Sequence, residues 1–318
     1  MTTWREANRL AHLAAAQAHG DLGVDTAVPP IDIYSAIGDA EVVLMWRPMP
    51  RQFGAYINEL RSRPGILVNN GLPHAAQRHT AAHELGHHRL GHRSTTDENL
   101  DPPDKGWSGW TDEEKVAESF ASWFLMPRRA VLTALGRLGL ERPQSPDDVY
   151  MLALLLGTSY RSTIRHLPNL RLASRDLARQ WARVPPKKIK ARLDNAALPP
   201  TSSSSDVWVI DKNFAGTELT VHLGDRLIVT VTNDAKASID PPEAFRVMPA
   251  SAAMPSPTDT STPTTSAQGL SNALILEVEQ IVPSRVEIFG SANSQVNKWA
   301  FDVQVEERHS GLARRWIE

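Results

Sequence analysis

The 318-residue sequence contains no cysteine, which excludes disulfides and any thiolate metal site and suits a reducing compartment. Long hydrophobic runs are missing too, since no segment approaches the roughly 18 apolar residues of a membrane-spanning helix. The opening Met1-Thr2-Thr3-Trp4-Arg5-Glu6 has no apolar core of a secretory signal. These absences predict a cytoplasmic chain with no membrane role. A net charge of -2 excludes no class of partner, and 41% hydrophobic with 22% charged residues is globular composition, with length for two or three domains.

What is present stands out against that background. His83-Glu84-Leu85-Gly86-His87 places two imidazoles four residues apart, which a helix stacks on one face, with a carboxylate beside them. Zinc held by three protein ligands keeps a fourth position for water and lowers that water's pKa to about 7, so Glu84 is positioned to act as general base. Residues 75–82 contain no Gly or Pro, which predicts a helix through the motif, stopped by Gly91.

The third ligand must come from elsewhere. His92 lies five residues after His87 and roughly 180° around from His83, so a continuous helix turns it away. His88 and His92 are read as solvated or as partners behind the ligands, and His79 as an ordinary polar helix residue. Thr111-Asp112-Glu113-Glu114 reads as the start of another helix, with Thr111 as cap and an apolar stripe of Val116, Ala117, Phe120, Ala121 and Phe124, ended by Pro127. Glu114 and Glu118 lie one turn apart. One can therefore bind the metal while the other hydrogen-bonds a ligating His from behind.

Taken together, Ile66-Leu67-Val68-Asn69, Gln77 to His87, and Glu114 to Ala121 with Leu125-Met126-Pro127 resemble the ImmA/IrrE family of metallo-endopeptidases over residues 5–185. The resemblance implies zinc, one per chain, held by His83, His87 and Glu114, with Glu84 as base and Glu118 behind a ligand. It also implies a protein substrate, a DNA-binding helix-turn-helix repressor whose cleavage releases stress or mobile-element genes. His79 stands where the family has Phe, and Glu118 where it has Asn or Asp.

Three strand-like segments, 41–46, 54–57 and 65–68, predict a small sheet ahead of the metal helix, with an edge able to receive an extended peptide. Tyr56 and Arg78 are candidate oxyanion stabilisers. Residues 93–110 read as a surface loop. Residues 149–167 carry helix-turn-helix spacing, and 161–194 hold ten Lys or Arg against two Asp. Pro168 closes the presumed recognition helix, so a supporting module is favoured over direct DNA reading.

The expected fold class is α+β. A zinc-peptidase domain (1–127) and a helix-turn-helix-like module (128–184) precede a linker (185–205) and a β-sandwich of about seven strands (206–318). Residues 249–268 read as a long loop. The segment 216–227 resembles chagasin-type cysteine peptidase inhibitors, although Asn233 to Lys236 replaces their inhibitory loop. The alternative to a peptidase is a binding module with a structural zinc site.

Overall fold

The computed structural model describes residues 2–60, 63–93, 95–97, 110–194, 204–231, 236–248, 273–292, 295–307, 309 and 311–312. The chain is α+β and divides into two compact units. The first comprises residues 1–136, 140–183 and 308–318; the second comprises 137–139 and 184–307.

In the first unit, helix α1 (Trp4–Asp21) starts at a capping box in which Thr3 and Glu6 satisfy each other's backbone N–H. Ala7, Ala11, Ala15 and Ala18 form its buried stripe. Side chains this small let α4 (Asp112–Leu125) lie close alongside, and Trp123 Nε1 donates to Asn8 Oδ1 across the pair at 2.6 Å. Helix α2 (Ile33–Asp39) leads into β1 (Val43–Arg47), followed by β2 (Gly54–Leu60), β3 (Arg63–Asn69), α3 (His74–Arg89) and β4 (Thr95–Asp97).

With β13 (Gly311–Leu312) at one edge, the sheet order is β13-β1-β3-β2-β4, with β1 parallel to β3 and the other pairings antiparallel. The expected three strands are present, with two additions. Strand β13 (Gly311–Leu312) pairs with Met45 and Trp46, so the C-terminal segment belongs to this unit rather than to the sandwich assigned to 206–318. Strand β4 pairs with Gly54, Ala55 and Tyr56, so the β2 side of the sheet carries a further strand of the chain itself. Most of the 93–110 loop lies outside the described residues. Its last member, Trp110, packs on Trp4 at 5.9 Å between ring centroids.

The remaining helices of this unit are α5 (Arg128–Arg137), α6 (Pro146–Leu156), α7 (Tyr160–His166) and α8 (Arg175–Trp181). Helix α6 has a Ser145–Asp148 capping box and ends at Gly157 with φ of +61°, a left-handed position suited to glycine. Ser159 then caps α7.

Helix α9 (Pro186–Leu193) belongs to the second unit and falls in the stretch 185–205 expected to be a linker. Proline suits the first helical position, Ile189 is fully buried, and Leu193 packs on a core of Val207, Ile228, Met248 and Ile275. The strands form two sheets, β5-β7-β10-β9 and β6-β12-β11-β8. Their ranges are β5 (Val207–Ile210), β6 (Glu218–Val221), β7 (Arg226–Thr230), β8 (Lys236–Asp240), β9 (Phe245–Met248), β10 (Ala273–Val278), β11 (Ser284–Ala292) and β12 (Gln295–Val305). Alternation is clear in β11, where Val286 and Ile288 are buried while Arg285 is exposed. Among the described residues these are eight strands, where the sequence suggested about seven. Residues 249–268 and Asn233 to Ala235 lie outside the described residues.

Candidate metal centre

Helix α3 is buried along most of its length, because β2 and β3 cover one side and α4 covers another. Seven of its buried residues are polar or charged: Gln77, Arg78, His79, Thr80, His83, Glu84 and His87. Burying so many polar groups costs stability unless each is matched, so a helix of this kind reports a site rather than a core.

Two close approaches place the helix. Gly86 lies against Phe120 of α4, where an added Cβ would come within 3.0 Å of the ring. Gly54 of β2 lies against the other side, where a Cβ would sit 2.3 Å from Thr80 Cγ2 and 2.9 Å from Glu84 Oε1. The loop leading to Gly54 is held by Asn69, which donates to the carbonyls of Met49 and Gln52 and accepts from the N–H groups of Met49 and Gly71.

His83, His87 and Glu114 come together, each offering a ligand atom within 4.8 Å of the others. His87 Nε2 is 3.0 Å from His83 Nε2 and 3.5 Å from a Glu114 oxygen, and His83 Nε2 is 3.2 Å from the other. A tetrahedral zinc with bonds of about 2.0–2.1 Å separates its ligand atoms by about 3.3 Å, so nitrogen and carboxylate donors at these spacings fit the ion. The His83 and His87 side chains are 1% and 0% exposed and Glu114 is 24% exposed, so the cluster is reached from the Glu114 side. Burial works against the charge on Glu114, but hydrogen bonds and charge from His83 and His87 prevail and lower its pKa. Glu114 also occupies the third position of α4, where its N–H is capped by Thr111.

Behind the ligands, Glu118 Oε2 is 2.8 Å from His79 Nε2 and 3.6 Å from His83 Nδ1. Burial opposes ionisation of Glu118, yet His79 and then His83 outweigh it and bring the pKa to about 2. His92 Nδ1 lies 2.9 Å from His87 Nδ1. The helix does not continue through His92: Gly91 takes φ of +69° and turns the chain back, so His92 N–H donates to the His87 carbonyl at 3.0 Å. A continuous helix would have turned His92 away; with the helix stopped at Gly91 its ring lies against His87, on the side away from Glu114.

The two oxyanion candidates are engaged in other contacts. Arg78 is buried and donates from Nε to the Gly157 carbonyl at 3.0 Å and from Nη2 to the Ile31 carbonyl at 2.5 Å. It braces α3 against the turn after α6. Tyr56 is 2% exposed, with its hydroxyl donating to Asn58 Oδ1 at 3.2 Å and lying 3.1 Å from His88 Nδ1.

Residues 39–140 match the family model described as Peptidase_M78, IrrE N-terminal-like domain, a segment that contains β1 to β4 and α3 to α5. Peptidases of this family are metallopeptidases, so the match supports a metallopeptidase-type activity. No curated protein matches the chain. Among solved structures, the chain is similar to a cysteine protease inhibitor from Entamoeba histolytica, at 9% identity, 33% coverage of this chain, 100% of that chain, and a TM-score of 0.22. A likeness at that score carries no argument about inhibition. Among the described residues, no helix is long and apolar enough to cross a membrane.

Proposed function

We propose that the first unit is a zinc-dependent endopeptidase, one zinc per chain, acting in the cytoplasm on a helix-turn-helix transcriptional repressor. The observation that carries the reading is the convergence of His83, His87 and Glu114 from two helices, with Glu84 directly after the first ligand. When bound, zinc supplies Lewis acidity that makes water nucleophilic at neutral pH and polarises a carbonyl. In hydrolysis, water oxygen bonds to the scissile carbonyl carbon, Glu84 accepts the water's proton, the C–N bond breaks, and Glu84 returns the proton to the departing nitrogen. Its place against Gly54 fixes the carboxylate between helix and strand, so little reorganisation is needed.

The substrate class comes from the likeness to ImmA/IrrE peptidases, whose targets are repressors of stress or mobile-element genes. Direct reading of DNA is the weaker role for α6 and α7. Helix α7 has seven residues, of which Tyr160, Thr163, Ile164 and His166 are buried within its own unit, leaving little surface for a groove.

The test is incubation of the zinc-loaded protein with the helix-turn-helix repressors of its own host, followed by sequencing of any new termini. Glu84→Gln keeps the shape but cannot take a proton, so cleavage should fall about 10²- to 10⁴-fold or more while zinc content is unchanged. Equal turnover by the Gln variant would reject Glu84 as base, and absence of any cleavage by the unchanged protein would favour a structural zinc site.

A further inference from the structure

Two histidines outside the ligand set stand in positions that a surface residue or a core filler does not need. From them we infer that His92 and His79 are positioning residues for the metal centre, His92 holding the His87 ring and His79 holding the Glu118 carboxylate that faces His83. The inference rests on the ligand assignment made above.

His87 turns Nε2 toward His83 and Glu114, which leaves Nδ1 toward His92. A 2.9 Å contact between two imidazole nitrogens needs one proton between them. A ligand that bonds through Nε2 must keep its proton on Nδ1, so His87 donates and His92 accepts. That hydrogen bond selects the tautomer and fixes the ring plane. It is reinforced by the backbone bond from His92 N–H to the His87 carbonyl, so residue 92 grips residue 87 at two points. Both bonds depend on Gly91 at φ of +69°; among the described residues, chain neighbours apart, nothing lies within 4 Å of an added Cβ, so the glycine serves there through its backbone conformation.

The His83 side uses a different device. Glu118 is 8% exposed and His79 is 8% exposed, and their 2.8 Å contact stops the carboxylate from rotating away from His83 Nδ1. One ligand ring is thus backed by an imidazole and the other by a carboxylate that an imidazole clamps. Removing a hydrogen-bond partner behind a metal ligand typically weakens metal binding about 10- to 100-fold.

The experiment reads zinc affinity on the metal-stripped full-length chain by competition with a chromophoric chelator, so it requires no peptidase activity. His92→Leu should weaken binding about 10- to 100-fold, and His92→Asn, which keeps an acceptor near the Nδ1 position, should recover most of the loss. Gly91→Val should weaken zinc as His92→Leu does, although it deletes no polar group, because a β-branched residue strains at positive φ and displaces His92. His79→Phe should act in the same direction, with His79→Gln recovering part. Metal-free melting curves of the same variants separate positioning from folding, and the Asn and Val variants decide if Leu does not fold. Unaltered affinity in His92→Leu and Gly91→Val, or equal loss in Leu and Asn, would overturn the role of His92; equal loss in His79→Phe and His79→Gln would overturn that of His79. A chain that binds zinc as described but cleaves nothing would refute the endopeptidase reading and leave this inference standing.

Discussion

In the second unit the guanidinium of Arg226 is fully buried, with Nε donating to Glu277 at 2.8 Å and Nη1 to Asp194 at 2.7 Å, while Glu277 also receives Arg246. In the first unit three carboxylates, Glu84, Glu114 and Glu118, gather with four imidazoles, His79, His83, His87 and His92. The Arg226 cluster carries permanent charges of both signs and completes itself. The histidine cluster as named includes no Arg or Lys to set against its three carboxylates. In the proposed reading a divalent cation would supply that balance. The first arrangement braces α9 to β7 and β10; the second holds three groups of metal-ligand type within reach of one another.

That difference can be broken by substitution. Arg226→Met leaves Glu277 and Asp194 facing each other without their shared cation, so the second unit should lose about 3–5 kcal/mol in stability, read from denaturant unfolding. Zinc affinity should be unchanged. Loss of zinc in this variant would mean that the two clusters are not independent.

Gly54→Ala probes the other cluster without removing any polar group. A Cβ at 2.3 Å from Thr80 and 2.9 Å from Glu84 forces β2 or α3 to move, and a displacement of about 1 Å at reacting groups costs about 100-fold in rate. Cleavage assays on the zinc-loaded variant measure it. Activity equal to that of the unchanged protein would show that the carboxylate is not held by the strand.

A smaller effect sharpens the contrast by pH. His166 is 2% exposed, donates from Nε2 to the Met126 carbonyl and packs against Trp123; burial, opposed by that bond, lowers its pKa to about 3. The fold therefore favours the neutral ring. Its stabilising effect is complete above about pH 6.5, the unfolded value, and is lost as pH falls from there through about 3. Melting temperature against pH should show this acid loss in the first unit, reduced in His166→Gln. An identical slope in both proteins would assign the loss to other groups.

Much of the site was legible because it is local. His83, Glu84 and His87 declare themselves by spacing on one helix, and Glu114 by a capped helix start followed by an apolar stripe. The sheet was legible from strand composition. What could not be read depends on backbone events or distant partners. His92 depends on a single left-handed glycine that turns the chain back over His87. Arg78 serves carbonyls 47 and 79 residues away, a task that leaves no pattern around it. Strand β13 returns from the end of the chain to pair with β1, a pairing of two residues with no hydrophobic alternation to announce it. Pro185 and the 199–205 run suggested a linker, yet Pro186 opens a helix in which Ile189 is buried and Leu193 packs on a core.

The most direct test of the account is a calorimetric zinc titration of the metal-stripped chain beside its Glu114→Ala variant. One tight site per chain is expected in the unchanged protein and a strong loss of affinity in the variant, because one of three ligands is gone. Equal affinity in the two proteins would contradict the ligand set and, with it, the contrast between a self-completed cluster and one completed by a cation.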